Sequence, residues 1–269
     1  TMTIGISGPE RKAPGRGAVV GLLIAAIIAA IVLILLALAG DFLVDWMWFS
    51  SIGYRQVFWT TIGAKAAVFL VVFAVTAAVL WANARLALGL AGRRSRLPTA
   101  FDPTLAAAAA LPDPLEFLRE RLPWRIVIAA SSGLFALFVA WGEVGNWSTL
   151  LRFIYQVPYG TNDPLYDKDI GFYLFFLPAL VAIKNWALLT LVIGALFGGF
   201  IYWVHSDIED RAQRISPAAI SHGSVLLGLL FGVKAWSYSL DRYLLLSGDN
   251  GVVVGAGFTD VNVELPVLW

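Results

Sequence analysis

The sequence has no cysteine, only two histidines and few charged residues, which make up 14 % of its 269 residues. The absence of cysteine excludes disulfide scaffolds, thiol catalysis and thiolate metal sites. The scarcity of charge excludes intrinsic disorder, which requires low hydrophobicity and high charge. Apolar residues are abundant instead, at 59 % of the chain against roughly 45–50 % in soluble domains. These proportions exclude a soluble globular domain and predict an all-α integral membrane protein.

Long apolar runs predict transmembrane helices, because about 20 helical residues cross a hydrocarbon core of about 30 Å. Five spans are predicted, at residues 18–40, 57–84, 126–142, 185–204 and 218–240. The apolar stretch that contains the fourth span begins at Gly171 and is too long for one crossing. We expect Pro178 to break it, so that residues 172–177 lie in the interface or re-enter the membrane. A cleaved secretory signal is the alternative for the first run, although an h-region has only about 7–15 residues.

Lysine and arginine are concentrated in three segments of the chain. Twelve of the 19 basic residues lie in the N-terminal tail, between the second and third spans, and between the fourth and fifth spans. The positive-inside rule places these segments in the cytoplasm. The predicted organisation is a cytoplasmic tail (1–17), a five-helix membrane domain (18–240) and an extracytoplasmic segment (241–269) that resembles the approach to a further span. The net charge of +1 gives no general attraction for nucleic acid.

Two connections carry local structural signals of their own. Asp113 and Pro114 are typical N-cap and first-turn residues, and three leucines share one face of the helix predicted at residues 114–122. We expect this amphipathic helix on the cytoplasmic surface, where it contacts anionic lipid or a partner, or belongs to a solvated basic loop. Outside the membrane, residues 162–164 (NDP) and 167–169 (DKD) indicate ordered turns between aromatic segments.

Four basic side chains are candidates for a lipid or anion site. Lys65, Lys184 and Lys234 each lie near the outer end of a predicted span, and Arg242 follows the fifth span. A buried amine costs a few kcal/mol unless it is paired or snorkels to the surface. One hypothesis is a polar pocket near the outer leaflet that binds an anionic head group or a small anion. The alternative is that these side chains snorkel or form structural ion pairs.

The two histidines, His205 and His222, flank the connection between the fourth and fifth spans. Three acidic residues lie in that connection, so a metal site is one hypothesis, and ligation of a haem or chlorophyll-type pigment by His205 is another. The spacing is a weak signal, and interfacial anchoring with helix capping is the simpler interpretation. We therefore predict no metal site and no cofactor, apart from bound membrane lipids.

Small residues form ridges at four-residue spacing on the last two spans. Gly194 and Gly198 lie on the fourth span, and Ser224, Gly228 and Gly232 lie on the fifth. Such ridges allow helices to approach closely. Because the connection between these spans is short, we expect the ridges to pack within the chain, with contact to another subunit as the alternative.

Three longer motifs carry a family resemblance. They are WMWFSSIGYRQVF after the first span, NDPLYDKDIGFYLFFLP before the fourth, and YSLDRYLLLSGDNGVVVGAGFTDVNVELP after the fifth. Together they resemble the N-terminal membrane portion of uncharacterised protein family 0182, a family of multipass bacterial membrane proteins. The resemblance implies a location in the bacterial cytoplasmic membrane. It also implies a longer parent, since the members have further membrane helices and a large extracytoplasmic domain, so that this chain is a truncated paralogue or part of a larger subunit.

The resemblance supplies no activity, so the functional hypotheses rest on the residues. No Walker sequence, HExxH motif or nucleophile elbow is present, and we expect a protein that is not an enzyme. The first hypothesis is an accessory subunit of a respiratory or photosynthetic membrane complex that contacts lipids and other membrane-protein subunits. The alternative is a transporter or channel component with an anion or head-group site in the outer leaflet. Apolar middle bands in the spans favour the subunit.

Overall fold

A computed structural model describes residues 16–91, 121–205, 217–247 and 255–267. Within these ranges the chain is helical, and the only β-type pairing is one isolated bridge between Asn162 and Asp169. The predicted all-α class is therefore confirmed. The amphipathic helix predicted at residues 114–122 lies outside the described residues except at its last two positions, and so do the acidic residues between the two histidines.

The described residues form seven α-helices and four short 3-10 or π-helical turns. In chain order they are α1 (Arg16–Ser51), α2 (Arg55–Ala91), α3 (Trp124–Glu143), a 3-10 turn (Val144–Asn146), α4 (Trp147–Ile154), a π-helical turn (Phe172–Phe176), α5 (Leu177–His205), α6 (Pro217–Leu244), a 3-10 turn (Leu245–Ser247), a second π-helical turn (Asp260–Glu264) and α7 (Leu265–Val267).

In the part of the chain that the structure describes, four helical stretches are long and apolar enough to cross a membrane. They are Arg55–Ala91, Trp124–Ile154, Phe172–His205 and Pro217–Leu244, and they contain the second to fifth predicted spans. The first predicted span, residues 18–40, lies inside α1, a helix of 36 residues. Five crossings and a cytoplasmic N-terminus remain predictions from the sequence.

Pro178 does not break the fourth apolar stretch, contrary to our expectation. It is the second residue of α5, and the chain is helical from Ile170 to His205. The turn before it is π-helical, with the Leu177 N–H donating to the Phe172 carbonyl five residues earlier. Proline has no N–H and its ring crowds the carbonyl of the preceding turn, which destabilises a regular α-helix. A turn widened by one residue already interrupts the regular hydrogen-bond ladder, so the proline is accommodated without a break.

The same arrangement occurs a second time near residue 260. The Leu265 N–H donates to the Asp260 carbonyl across a π-helical turn, and Pro266 follows as the second residue of α7. Both Leu-Pro pairs in helices therefore follow a widened turn.

The chain forms two compact units, residues 1–60 and 61–269. In the first unit, α1 is joined to the start of α2 by a turn in which Gly53 has a positive φ of 81°. A side chain would strain this conformation. The Tyr54 N–H donates to the Phe49 carbonyl over 2.8 Å, and the rings of Phe42 and Phe58 meet edge to face at 5.2 Å. Aromatic packing thus fixes the turn.

In the second unit, α5 is the helix that contacts most of the others. It packs most extensively on α6 and also contacts α3 and α4. It is bonded to α2 through the Trp186 indole N–H, which donates to the Thr76 hydroxyl over 2.8 Å. The buried apolar cluster where α2, α3 and α5 meet consists of Ala84, Ala87, Ile128, Phe197 and Ile201.

Candidate functional site

A polar network links three of the long apolar helices beside the small residues of α5. The Asn83 amide of α2 donates to the Gly194 carbonyl of α5 over 2.8 Å. His222 of α6 is buried, with its Nε2 3.1 Å from the Asn83 Oδ1 and its Nδ1 3.1 Å from the Tyr202 hydroxyl of α5. This network is called the Asn83 network below.

The hydrogen-bond partners fix the direction of every bond in the Asn83 network. Because the Gly194 carbonyl only accepts, it requires the NH₂ of Asn83, which turns the Asn83 oxygen towards His222. His222 therefore carries its proton on Nε2, and its Nδ1 accepts from the Tyr202 hydroxyl. Both imidazole nitrogens are occupied, so ligation of a metal or pigment by His222 would require the loss of one of these bonds.

His205 lies at the C-terminal end of α5 in a different environment. Its Nδ1 lies 2.9 Å from the Ile201 carbonyl, and its ring meets the Trp124 ring edge to face at 4.6 Å. His222 bonds instead to Asn83 and Tyr202. Among the described residues there is no group of three His, Asp or Glu side chains that could hold a metal. Anchoring and capping are consistent with these two contacts of His205.

The two small-residue ridges have different surroundings. Gly194 and Gly198 face the Asn83 network, since a Cβ at either position would lie 3.5–3.8 Å from Asn83 or its neighbours. Gly228 and Gly232 are exposed, and a Cβ there would have nothing within 4 Å. Ser224 on the same face is exposed as well. The α5 ridge therefore packs within the chain, whereas the α6 ridge has no packing neighbour among the described residues, which differs from our expectation.

The four basic candidates are spread over three helices, α2, α5 and α6, rather than gathered in one pocket. Lys65 of α2 lies 5.8 Å from the Trp147 ring, and Lys234 of α6 lies 4.7 Å from the Tyr238 ring. Lys184 of α5 is half-buried. The Arg242 guanidinium donates to the Tyr243 hydroxyl over 2.8 Å and lies 4.7 Å from that ring. Contact with aromatic rings, which keeps a cation partly desolvated near an interface, is the feature that three of the four share.

The connection between α4 and α5, residues 155–171, is an ordered loop built around two carboxylates. Asp163 is 7 % exposed and accepts three hydrogen bonds. The donors are the Leu165 N–H at 3.0 Å, the Tyr166 N–H at 2.7 Å and the Tyr173 hydroxyl at 3.0 Å. The Asp163 carboxylate stabilises the turn formed by the residues that directly follow it. It also bonds to Tyr173 in the π-helical turn before α5, and this bond fixes the loop onto the helix. The loop predicted to be ordered around residues 162–164 and 167–169 is ordered, with its turn at residues 164–166 and a bridge between Asn162 and Asp169.

Asp169 is the second carboxylate of the α4–α5 loop and accepts from three backbone amides. The Tyr159 N–H donates over 3.0 Å, the Gly160 N–H over 2.9 Å and the Gly171 N–H over 2.6 Å. The bonds from Tyr159 and Gly160, followed by that from Gly171, lower the pKa of the Asp169 carboxyl. The ionised form of Asp169 therefore ties both ends of the loop together.

Acidification is expected to loosen this loop through Asp169. Because the folded state lowers the pKa of Asp169 below its ordinary 3.8, the stabilisation is complete above that pH and is lost as the pH falls through the lower folded value. Hydrogen-exchange protection of the Tyr159 and Gly160 amides should decrease below about pH 4 in the wild type. Asp169→Asn should reduce this protection already at neutral pH and remove most of its pH dependence. If Asp169→Asn keeps the wild-type pH dependence of this protection, another acidic residue is responsible for the loosening of the loop.

A stack of aromatic rings and cations lies where the α4–α5 loop meets the end of α6. The Tyr243 ring is 5.0 Å from Tyr166 and 5.2 Å from Phe172. The Lys168 ammonium lies 5.1 Å from the Phe172 ring and 5.7 Å from the Tyr243 ring. The Tyr166 hydroxyl donates to the Arg242 carbonyl over 3.2 Å, and burial raises the pKa of Tyr166, so it remains a neutral donor. The NDPLYDKD and YSLDRY motifs thus meet in one structural unit.

A cavity of about 310 Å³ lies between α2, α5 and the junction of α3 with α4. Its lining includes Val71 and Val75 of α2, Ala182 and Trp186 of α5, and Glu143 and Asn146 at the junction. The Asn146 amide donates to the Glu143 carboxylate over 2.6 Å. A second cavity of about 430 Å³ is lined by residues that include Lys65, Trp141 and Val144. Neither cavity is lined by Lys184 or Lys234.

Reasoning from the sequence missed Asn83 and the pairing of Glu143 with Asn146. The signal for Asn83 was its amide, a polar group near the end of an otherwise apolar span that is costly unless hydrogen-bonded. No sequence spacing relates Asn83 to His222, which is 139 residues away. That pairing depends on how the helices pack.

Three relatives with similar sequences carry the same family name. The chain is 62 % identical over 270 residues to a UPF0182 protein of Bradyrhizobium diazoefficiens, matching all of this chain and 29 % of the relative. It is 47 % identical over 263 residues to one of Cupriavidus necator, matching 97 % of this chain and 28 % of the relative. A UPF0182 protein from Salinibacter ruber is 34 % identical over 249 residues, matching 90 % of this chain and 25 % of the relative. The chain thus spans less than a third of the length of these relatives.

No solved structure matches the chain. The model of the uncharacterised protein family UPF0182 matches residues 22–269, which include all three motifs that carried the resemblance. The part of the relatives that the chain matches is their N-terminal portion. The chain belongs to the uncharacterised protein family UPF0182.

Proposed function

We propose that this chain is a non-catalytic membrane scaffold within a larger bacterial membrane assembly, such as a respiratory or photosynthetic complex. The observation that carries the proposal is how little of each apolar helix the chain itself covers. Only 6 % of the most apolar stretch of α6 and 11 % of that of α2 is buried. The exposed apolar surfaces of these helices need lipid, the remainder of a longer polypeptide, or another subunit to cover them.

The exposed ridge of α6 is the face best suited to a partner helix. Ser224, Gly228 and Gly232 lie on the side of α6 away from the buried residues His222 and Leu240. Hydrophobicity gives no net drive for helices to associate within lipid, so close packing over small residues is the main source of affinity. An open ridge of this kind supports contact with another membrane helix.

The charge distribution supports a scaffold in the cytoplasmic membrane, with the N-terminus inside. Basic residues are concentrated in the segments that the positive-inside rule assigns to the cytoplasm. The five predicted spans contain no Asp or Glu. Proton- and cation-coupled transporters place ionisable groups at mid-membrane depth, so this absence favours the scaffold over the transporter or channel alternative.

Leucine on the exposed ridge should detach the partner without unfolding the chain. Gly228→Leu and Gly232→Leu place a Cβ where no described atom lies within 4 Å, on an exposed face, so the melting temperature of the purified chain should change little. Close approach of a partner helix should be blocked, with at least about tenfold less copurified partner from native membranes in mild detergent. The readout is quantitative mass spectrometry of the copurified proteins.

Gly223→Leu is the matched control, since Gly223 is exposed on a different face of the same helix and also has open space around it. It should leave the copurified proteins unchanged. A wild-type chain that purifies without any membrane protein partner, or ridge variants that retain all of them, would contradict the proposal.

A further inference from the structure

The cavity beside Glu143 opens sideways from the helix bundle. Its inner wall includes Val68 and Ala179, which are 9 % and 7 % exposed. Val71, Val75 and Ile183 at its rim are 63 %, 42 % and 50 % exposed. When these helices lie in a membrane, such a rim faces the hydrocarbon rather than water. A ligand therefore enters the cavity from the bilayer.

The dimensions of the cavity match one alkyl chain. Its volume of about 310 Å³ is at the lower end of the range of about 300–1,000 Å³ for ligand pockets. From Val68 to Val75, α2 rises about 10 Å along the cavity wall. A helix is about 10–12 Å wide with its side chains and is too large for this space. An acyl chain is the occupant whose shape and polarity fit.

Charged groups at the α3–α4 junction complement a zwitterionic head group. The Glu143 carboxylate lines the cavity and accepts a hydrogen bond from the neutral Asn146 amide, and it has no cation partner within the described ranges. Lys65 lines the second cavity together with Val144, the residue that follows Glu143. An acid and a base are thus presented at the same helix junction. The Glu143 carboxylate can accept hydrogen bonds from an ammonium group, and the Lys65 ammonium can donate to a phosphate.

We propose that this cavity binds one acyl chain of a phospholipid with a primary ammonium head group, with the ammonium at Glu143 and the phosphate at Lys65. The proposal rests on the membrane placement given under the proposed function but not on the scaffold role. The bound lipid extends the apolar contact between α2 and α5 and covers the exposed rim.

Photolabelling tests the site directly. The whole chain is reconstituted in vesicles that contain phosphatidylethanolamine with a diazirine in one acyl chain, and labelled residues are mapped by mass spectrometry. Labels are expected on the cavity wall at Val71, Val75 and Trp186. Phosphatidylcholine and phosphatidylglycerol probes with the same chain should give about tenfold less label there, the ratio expected for the loss of one charge-assisted contact.

Two variants distinguish binding of the acyl chain in the cavity from binding of the lipid head group at Glu143. Ala182→Phe fills the cavity and should abolish labelling of its wall, whereas Ala195→Phe, on an exposed face of α5, should not. Glu143→Gln keeps the size of the side chain and its ability to accept from Asn146, and should remove the preference for phosphatidylethanolamine.

Wall labelling that is the same in Ala182→Phe as in the wild type, or equal labelling by all three probes in the wild type, would overturn the proposal. So would cross-linking of the wall to a protein segment instead of lipid. If the scaffold role is wrong, no partner copurifies but lipid labelling of the cavity wall is unaffected. Failure of the scaffold role is therefore distinguishable from failure of the lipid site.

Discussion

Replacing Asp163 with alanine is expected to open the α4–α5 loop and to lower the free energy of unfolding by roughly 2–4 kcal/mol. The change removes the acceptor of three hydrogen bonds, from the backbone of Leu165 and Tyr166 and from the Tyr173 hydroxyl. Hydrogen bonds to a charged group contribute about 1.5–3 kcal/mol each, and donors that reach water recover part of this. Thermal unfolding in detergent and hydrogen exchange over residues 157–173 are the measurements.

Asp167→Asn is the matched control for Asp163→Ala. Asp167 is exposed in the same loop and has a φ of 52°, a conformation that asparagine tolerates well. Its carboxylate accepts one hydrogen bond from the Asn162 side chain, which an amide oxygen also accepts. The control removes one negative charge without stranding a buried donor, so its stability should remain near that of the wild type. Equal losses in the two variants would show that loop charge, rather than the Asp163 bonds, stabilises the loop.

His222→Leu is expected to lower the free energy of unfolding by roughly 1–3 kcal/mol and to loosen the contact of α6 with α2. Leucine fills most of the space but neither accepts from Tyr202 nor donates to Asn83. Hydrogen bonds between membrane helices average about 0.6 kcal/mol and reach about 1.7, because the unfolded helices find other partners. Two lost bonds and two stranded polar groups account for the expected range.

A double-mutant cycle with Tyr202→Phe assigns this loss to the Asn83 network. His222→Leu, Tyr202→Phe and the double variant are unfolded under identical detergent conditions, and the coupling between the two positions should be about 0.6–1.7 kcal/mol. Ser221→Leu is the control, because Ser221 is adjacent on the exposed face of α6. Additive effects at His222 and Tyr202 would contradict the assigned hydrogen bond.

The sequence was sufficient to predict helices and their apolar stretches, because length and hydropathy are local properties. The ends of the predicted spans 126–142 and 218–240 lie within two residues of the ends of α3 and within four residues of the ends of α6. The ordered turns around Asp163 were also predictable, since an Asx-type turn is formed by its own neighbours.

The partners of Asn83 were not predictable, because they come from helices more than 100 residues further along the chain. The two small-residue ridges look alike as sequence, yet Gly198 packs against Asn83 and His222 while Gly228 is open. Which face of an apolar helix is covered depends on its rotation about its own axis. Where all faces are apolar, hydropathy does not specify that rotation.

The two π-helical turns before Leu177-Pro178 and Leu265-Pro266 have a consequence for comparing lengths within the family. Each turn contains one residue more than a regular helical turn needs. Loss of one residue there would convert the turn to regular α-helix and leave the helix axis continuous, but the proline would then meet the crowded carbonyl of the preceding turn. The surplus residue and the proline are therefore expected to be gained or lost together, and at these two positions the Leu-Pro pair lies within a helix that continues.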